Sequence, residues 1–134
     1  MLLEKGMIQL RGFRNVSKDG KTVGFQVPIR SHYYRAVWLP QLRPATVTVD
    51  GEKFEGAQIT WTIGGKIYAQ ADFDKYGDVI WPLWEPATLT VSKPGGLKMG
   101  SHEVEVTYTY STSYIPPRAD ERPITEKKKM VLAA

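Results

Sequence analysis

The chain has 134 residues, a formal charge of +4 and no cysteine. That length fits one ordinary domain, large enough to bury a core without staples. Disulfides, thiolate metal sites and cysteine nucleophiles are excluded, which fits a reducing compartment. The cations are spread along the chain and are densest at Lys127-Lys128-Lys129. A solvated face or an acidic protein partner explains them at least as well as nucleic acid does. The start, Met1 to Gly6, has neither the basic nor the apolar region of a signal peptide, and no window reaches the roughly 20 apolar residues of a membrane helix. The expectation is a cytoplasmic protein.

Period-2 alternation dominates the predicted elements. Met7-Ile8-Gln9-Leu10 and Val23-Gly24-Phe25-Gln26-Val27 are candidate strands. Thr46-Val47-Thr48-Val49 follows, then Thr60-Trp61-Thr62-Ile63 with Ile59 leading it. Gly64-Gly65 sits between that run and Lys66-Ile67-Tyr68, which predicts a two-residue hairpin. One helical turn is expected around Asp72 to Tyr76. Thr88-Leu89-Thr90-Val91 alternates again. The strongest strand is Glu103 to Tyr110, with Val104, Val106, Tyr108 and Tyr110 on one face. Lys129-Met130-Val131-Leu132 closes the set as a terminal strand. Asp19-Gly20, Asp50-Gly51 and Pro94-Gly95-Gly96 are further turn signals.

Three stretches break the pattern. They are Arg30 to Pro40, Trp81 to Pro86, and a proline-stiffened Tyr114-Ile115-Pro116-Pro117-Arg118 followed by polar residues to Thr125. The last reads as an extended arm rather than core. The predicted fold is a single all-β domain over residues 1–134, a two-layer antiparallel β-sandwich with a C-terminal arm from about 114. Pro44 to Val49 echoes Pro86 to Val91, as if one hairpin were used twice. Convergence of half-buried strand sequences is the plainer account.

The search for chemistry is mostly negative. His32 and His102 are the only histidines, and neither lies in a nucleophile signature. His102 reads as a polar residue at a strand entry. No ligand spacing for a metal is present, and Asp72 with Asp74 is a pair common on solvated turns. Gly64-Gly65-Lys66 lacks the spacing of a phosphate loop. No catalytic residue and no metal ligand is therefore assigned to this chain. What remains is aromatic and cationic density: Arg30, His32, Tyr33, Tyr34, Arg35, Trp38, Trp81, Trp84, Tyr114 and Arg118. Trp, Tyr and Arg anchor protein interfaces, and Trp and Tyr also stack on sugars or bases. For Trp38, core and interface are equally open readings. Trp81 and Trp84, beside prolines, are expected on a functional surface.

Three stretches resemble the small β subunit of bacterial C-glycoside deglycosidases: Gly12-Phe13-Arg14-Asn15-Val16, the run from Gly24 to Arg35, and Ser113-Tyr114-Ile115-Pro116-Pro117-Arg118. The turns Val49-Asp50-Gly51-Glu52 and Lys93-Pro94-Gly95-Gly96-Leu97 extend the likeness over nearly the whole chain. The resemblance implies a β-sandwich accessory subunit of a carbon–carbon lyase, with no cofactor of its own. Its implied partner is a larger catalytic α subunit of sugar-isomerase-like barrel fold, holding a divalent metal, typically manganese, and the catalytic base. The implied substrate is a C-glycoside already oxidised to a 3-ketone. Removal of the acidified C2 proton, with the metal stabilising the enolate oxygen, expels the aglycone carbon by β-elimination. A stand-alone carbohydrate-binding module using Trp81 and Trp84 is the second reading. A single-strand nucleic-acid binder is the third, weakened by the modest charge. No membrane or nucleic-acid partner is expected.

Overall fold

The computed structural model describes residues 3–31, 36–111 and 121–133. Eleven strands run through them: β1 (Arg14–Lys18), β2 (Lys21–Ile29), β3 (Val37–Trp38), β4 (Leu42–Val49), β5 (Glu52–Phe54), β6 (Ile59–Ile63), β7 (Lys66–Ala69), β8 (Ile80–Trp81), β9 (Ala87–Ser92), β10 (Gly100–Ser111) and β11 (Glu121–Leu132). They form a five-stranded sheet in the order β1-β2-β9-β6-β7, a four-stranded sheet in the order β11-β10-β4-β5, and a short β3-β8 ribbon. Every pairing is antiparallel. The all-β sandwich architecture expected from the alternation is present.

Turn chemistry sets the hairpins. Asp50 and Gly51 have φ of 50° and 89°, and Gly64 and Gly65 have 60° and 82°. Two consecutive positive φ values suit the right-handed twist of the strands they join, so Val49 meets Glu52 and Ile63 meets Lys66. The predicted helical turn is a 3-10 segment over Gln70–Lys75.

The inner faces are the alternating apolar rows. Phe25, Val27, Leu89, Val91, Ile59 and Trp61 of one sheet are buried against Val47, Val104, Val106 and Tyr108 of the other. Aromatic edges cross between the layers, Phe25 to Phe54 at 5.4 Å and Trp61 to Tyr108 at 6.1 Å between centroids. Such pairs add about 0.5–1.5 kcal/mol each beyond the area they bury. Buried Gln70 satisfies the polar groups within this core. Its Oε1 accepts from the Trp61 indole at 2.7 Å and the Ala45 amide at 2.6 Å, and its Nε2 donates to the Gly56 carbonyl at 3.1 Å.

Two expectations need correction, and a third is decided. The segment 121–132, assigned in part to an arm, is a twelve-residue strand paired along all of β10, from Ser111–Glu121 to Gly100–Leu132. Its core-facing row is Ile124, Glu126, Lys128, Met130 and Leu132, opposite Tyr108, Val106, Val104, His102 and Gly100. Two charges inside that row hide the alternation. Both are met by the N-terminal segment. The Met7 amide donates to Glu126 Oε2 at 2.6 Å, and Lys128 Nζ lies 3.0 Å from Glu4 Oε1 and 3.2 Å from the Ile8 carbonyl.

The second correction concerns that N-terminal segment. Met7 to Leu10 is not a strand but a strap across the open edge between the sheets, with one bridge from Ile8 to Ile29. Burial raises the cost of charging Glu4. The Lys128 ammonium and the Arg11 and Leu10 amides outweigh it and hold the carboxyl below its ordinary value.

The sequence echo is decided in favour of the plainer account, convergence. β4 turns back on itself into β5, but β9 does not form a hairpin with β10. β9 lies between β2 and β6, so both its edges are taken, and the chain crosses through 93–99 into the other sheet.

Candidate functional site

The pairing register gathers several of the irregular stretches at one end of the sandwich. Ile29 pairs with Ala87 and Thr62 with Thr88, so Arg30, the 82–86 loop and the Gly64-Gly65 tip share an end of the five-stranded sheet. A 3.0 Å hydrogen bond from the Gly64 amide to Glu85 Oε1 ties the loop to that tip. In the other sheet Tyr110 pairs with Leu42, and the Gln41 amide donates to the Ser111 carbonyl at 3.0 Å. Gln41 Oε1 also accepts from the Trp38 backbone at 2.8 Å. The β3-β8 ribbon therefore bridges this end from one sheet to the other.

Alternation within the ribbon decides which rings face water. Val37 pairs with Trp81 and Trp38 with Ile80. Val37 and Trp81 are fully buried, while Trp38 and Ile80 are each 39% exposed. Trp81 packs edge-on to Trp61 at 5.5 Å and against Tyr108 at 5.7 Å, and its indole donates to the Glu85 carbonyl at 2.8 Å. The expected surface placement of Trp81 is thus corrected, because strand pairing aims its side chain into the core. Trp84, three residues on in the loop, is 76% exposed.

Arg30 also belongs to this end. Its guanidinium donates to the Glu4 carbonyl at 3.0 Å and its amide to Met7 O at 2.8 Å, so part of its capacity is spent on the strap. An open groove of about 600 Å³ runs beside it, lined by Leu3, Leu10, Arg11, Pro28 and Pro86. His32, Tyr33, Tyr34, Arg35, Tyr114 and Arg118 lie outside the described residues. Of the described members of the set, Arg30, Trp38 and Trp84 each lie at this end of the sandwich. The structure adds Ile80, which could not be read in advance because its two-residue strand is too short to show a period.

A cluster of polar residues occupies the opposite end. His102 Nδ1 lies 2.6 Å from Asp50 Oδ2, and Asp50 Oδ1 accepts from the Glu103 amide at 2.8 Å. Among the described residues no three His, Asp or Glu side chains gather as metal ligands, and no helix is long and apolar enough to cross a membrane. What the first end can do chemically is bind. It presents large apolar rings in water on a hydrogen-bonded frame, which is the composition of an interface anchor.

Comparisons with known proteins place the chain in a family. The chain is 40% identical over 130 residues to a C-glycoside deglycosidase beta subunit of Eubacterium cellulosolvens, covering 96% of this chain and 88% of that one. It is 33% identical over 89 residues to a 3'-dehydrocarminate deglycosidase beta subunit of a Microbacterium species, 66% of each chain. The pattern of one family matches residues 3–114, and by that match the chain belongs to the C-glycoside deglycosidase beta subunit family.

Proposed function

We propose that this chain is the non-catalytic subunit of a hetero-oligomeric C-glycoside deglycosidase, and that it joins its catalytic partner through the end bearing Trp84, Trp38, Ile80 and Arg30. Family membership over residues 3–114 supports the enzyme class. The observation that carries the interface is Trp84, 76% exposed on a loop whose neighbours Trp81 and Glu85 are both hydrogen-bonded to the fold. The bonded frame holds the backbone that carries the ring, which limits the ordering cost on binding.

In this reading the complex cleaves the carbon–carbon bond between a 3-oxo sugar and its aglycone. The ketone makes the C2 proton removable and a base takes it. The C1–C2 double bond then forms as the bond from C1 to the aglycone breaks, and the aglycone carbon leaves with that pair and takes up a proton. The base and the divalent metal implied for the family belong to the partner subunit. The residues described in this chain offer no ligand set for that metal, and no step is assigned to it here. This chain's task is assembly, in the cytoplasm.

Co-expression with a candidate catalytic subunit tests the proposal. A stable complex that releases aglycone from a 3-oxo-C-glycoside, and an isolated chain that releases none, is the expected result. Turnover by the isolated chain would sink the division of labour. Failure of any barrel-sized partner to co-purify would remove the accessory role.

A further inference from the structure

The polar end of the sandwich holds an arrangement that assembly does not explain. His102, at the start of β10, is 9% exposed. Its Nδ1 faces Asp50 Oδ2 at 2.6 Å and its Nε2 faces the Lys98 carbonyl at 2.5 Å. An ionised carboxylate and a carbonyl can only accept. A neutral imidazole has one N–H, so it would leave one ring lone pair pressed against an acceptor oxygen. Only the doubly protonated ring donates to both.

We infer that His102 is an imidazolium at neutral pH and acts as a protonation-dependent clasp, fastening the β4–β5 turn and the 93–99 crossover onto β10. The crossover is one of the passages of the chain between the two sheets. Its first half is tied to β2 by the Lys93 and Gly95 amides on the Val23 and Thr22 carbonyls, both at 3.0 Å, and to β5 by Lys93 Nζ on Glu52 Oε1 at 3.1 Å. Leu97 is held by paired hydrogen bonds with the Asn15 side chain, both at 2.9 Å, and the His102 contact to Lys98 secures the half that enters β10. Asp50 is held ready for its part. Its positive φ belongs to the turn, and its second oxygen is occupied by the Glu103 amide.

The other neighbours of the ring do not supply a competing charge. Phe13 meets it edge-on at 6.5 Å, and its cross-strand partner Met130 is buried and apolar. Glu103, next in the chain, directs its carboxylate to Lys127 at 3.7 Å on the outer face, where Lys129 is its cross-strand partner. Burial by itself would make the imidazolium less favourable. The hydrogen bonds to Lys98 and Asp50 and the charge of Asp50 outweigh it, so the proton is held more tightly than by a free histidine.

The sign follows from linkage. The clasp is closed below the ordinary histidine value of 6.5. Between that value and the raised one, opening becomes easier by up to about tenfold per pH unit, because it releases one proton. Above the raised value the opening equilibrium is level.

Nitrogen NMR of the full chain from about pH 5 to about pH 9 tests this, with His32 as a second histidine in the same sample. The expected result is two protonated ring nitrogens on His102 at neutral pH. Amide protection of residues 97–103, corrected for intrinsic exchange, should fall as His102 titrates. A singly protonated His102 at neutral pH, or protection unchanged across its titration, would overturn the inference. Asp50→Asn provides the second arm. Asparagine tolerates the turn conformation and keeps an oxygen for the Glu103 amide, but it turns an NH₂ toward the ring. The neutral ring then fits, so the titration should move down and the loss of protection on the alkaline side should vanish. An unaltered titration in that variant would equally defeat the idea. These readouts are independent of the partner subunit, so they can fail while the assembly proposal survives.

Discussion

The two ends of this sandwich close in opposite ways. At one, His102, Asp50, Glu103 and Lys98 satisfy one another, and the turns are pinned by hydrogen bonds. At the other, the frame is equally well bonded through Gln41 and Glu85, yet Trp38, Ile80 and Trp84 keep much of their surface in water. The polar end also leaves Met99 and Val131 in water, but these are single aliphatic side chains, whereas the other end exposes two indole rings beside Ile80 on one bonded frame. In the proposed function the difference separates an end that maintains the fold from an end that receives the partner.

The largest effect should come from the residue that lies between the two behaviours. Trp81→Ala opens a cavity among Trp61, Tyr108 and the 82–86 loop. It should cost about 3–5 kcal/mol and lower the melting temperature by about 10 °C or more. A melting temperature within a degree or two of the parent would return Trp81 to the surface.

The next two changes should give opposite patterns. Trp84→Ala should weaken partner binding by about 2 kcal/mol, roughly thirtyfold, while thermal unfolding of the isolated chain stays where it was. His102→Ala should do the reverse, destabilising the chain by about 1 kcal/mol through the lost hydrogen bonds, with the exposed Asp50 carboxylate taking water instead, while leaving partner affinity intact. Titration calorimetry and thermal melts on both variants separate the ends. If Trp84→Ala melts early and binds normally, the assignment of the ends is wrong. Trp38→Ala should show the Trp84 pattern at about half the size, near 1 kcal/mol in affinity, because its ring is already half covered.

The smallest effect is the pH profile of stability. Glu4 and Asp50 are depressed below their ordinary values of 4.5 and 3.8, so their contributions are complete above those values and fade as acid protonates the folded carboxylates. For Asp50 the chief cause is the Glu103 amide, with His102 second. His102 contributes fully below 6.5 and fades above it. Denaturant melts should therefore be most stable between about pH 4.5 and about pH 6.5, with a decline on the alkaline side that Asp50→Asn flattens. A decline that survives that change would have to come from other groups.

Much of this molecule follows from local pattern. The alternation from Glu103 to Tyr110 predicts the inward row Val104, Val106, Tyr108 and Tyr110, and all four are buried. The dipeptides Asp50-Gly51 and Gly64-Gly65 predict their hairpins, because few residues accept two positive φ values in succession. The resemblance carried by the run from Gly24 to Arg35 points to the family that the comparisons identify.

Other features required the assembled fold. Glu126 and Lys128 make β11 look polar, and only the strap from Glu4 to Ile8, more than a hundred residues away in sequence, makes two inward charges tolerable. Trp81 and Trp84 look alike beside their prolines. Pairing of Val37 with Trp81 sends one ring inward, while the loop leaves the other in water. His102 reads as an ordinary polar residue at a strand entry until the β4–β5 turn and the 93–99 crossover place an acceptor on each ring nitrogen. The division has a physical basis. Backbone conformation and face alternation depend on neighbours within a few residues, so sequence alone determined the cleanly alternating strands such as Glu103 to Tyr110, the glycine turns and the core rows on those strands. Burial, charge compensation and protonation depend on groups brought together across long stretches of chain, and those only the tertiary structure decided.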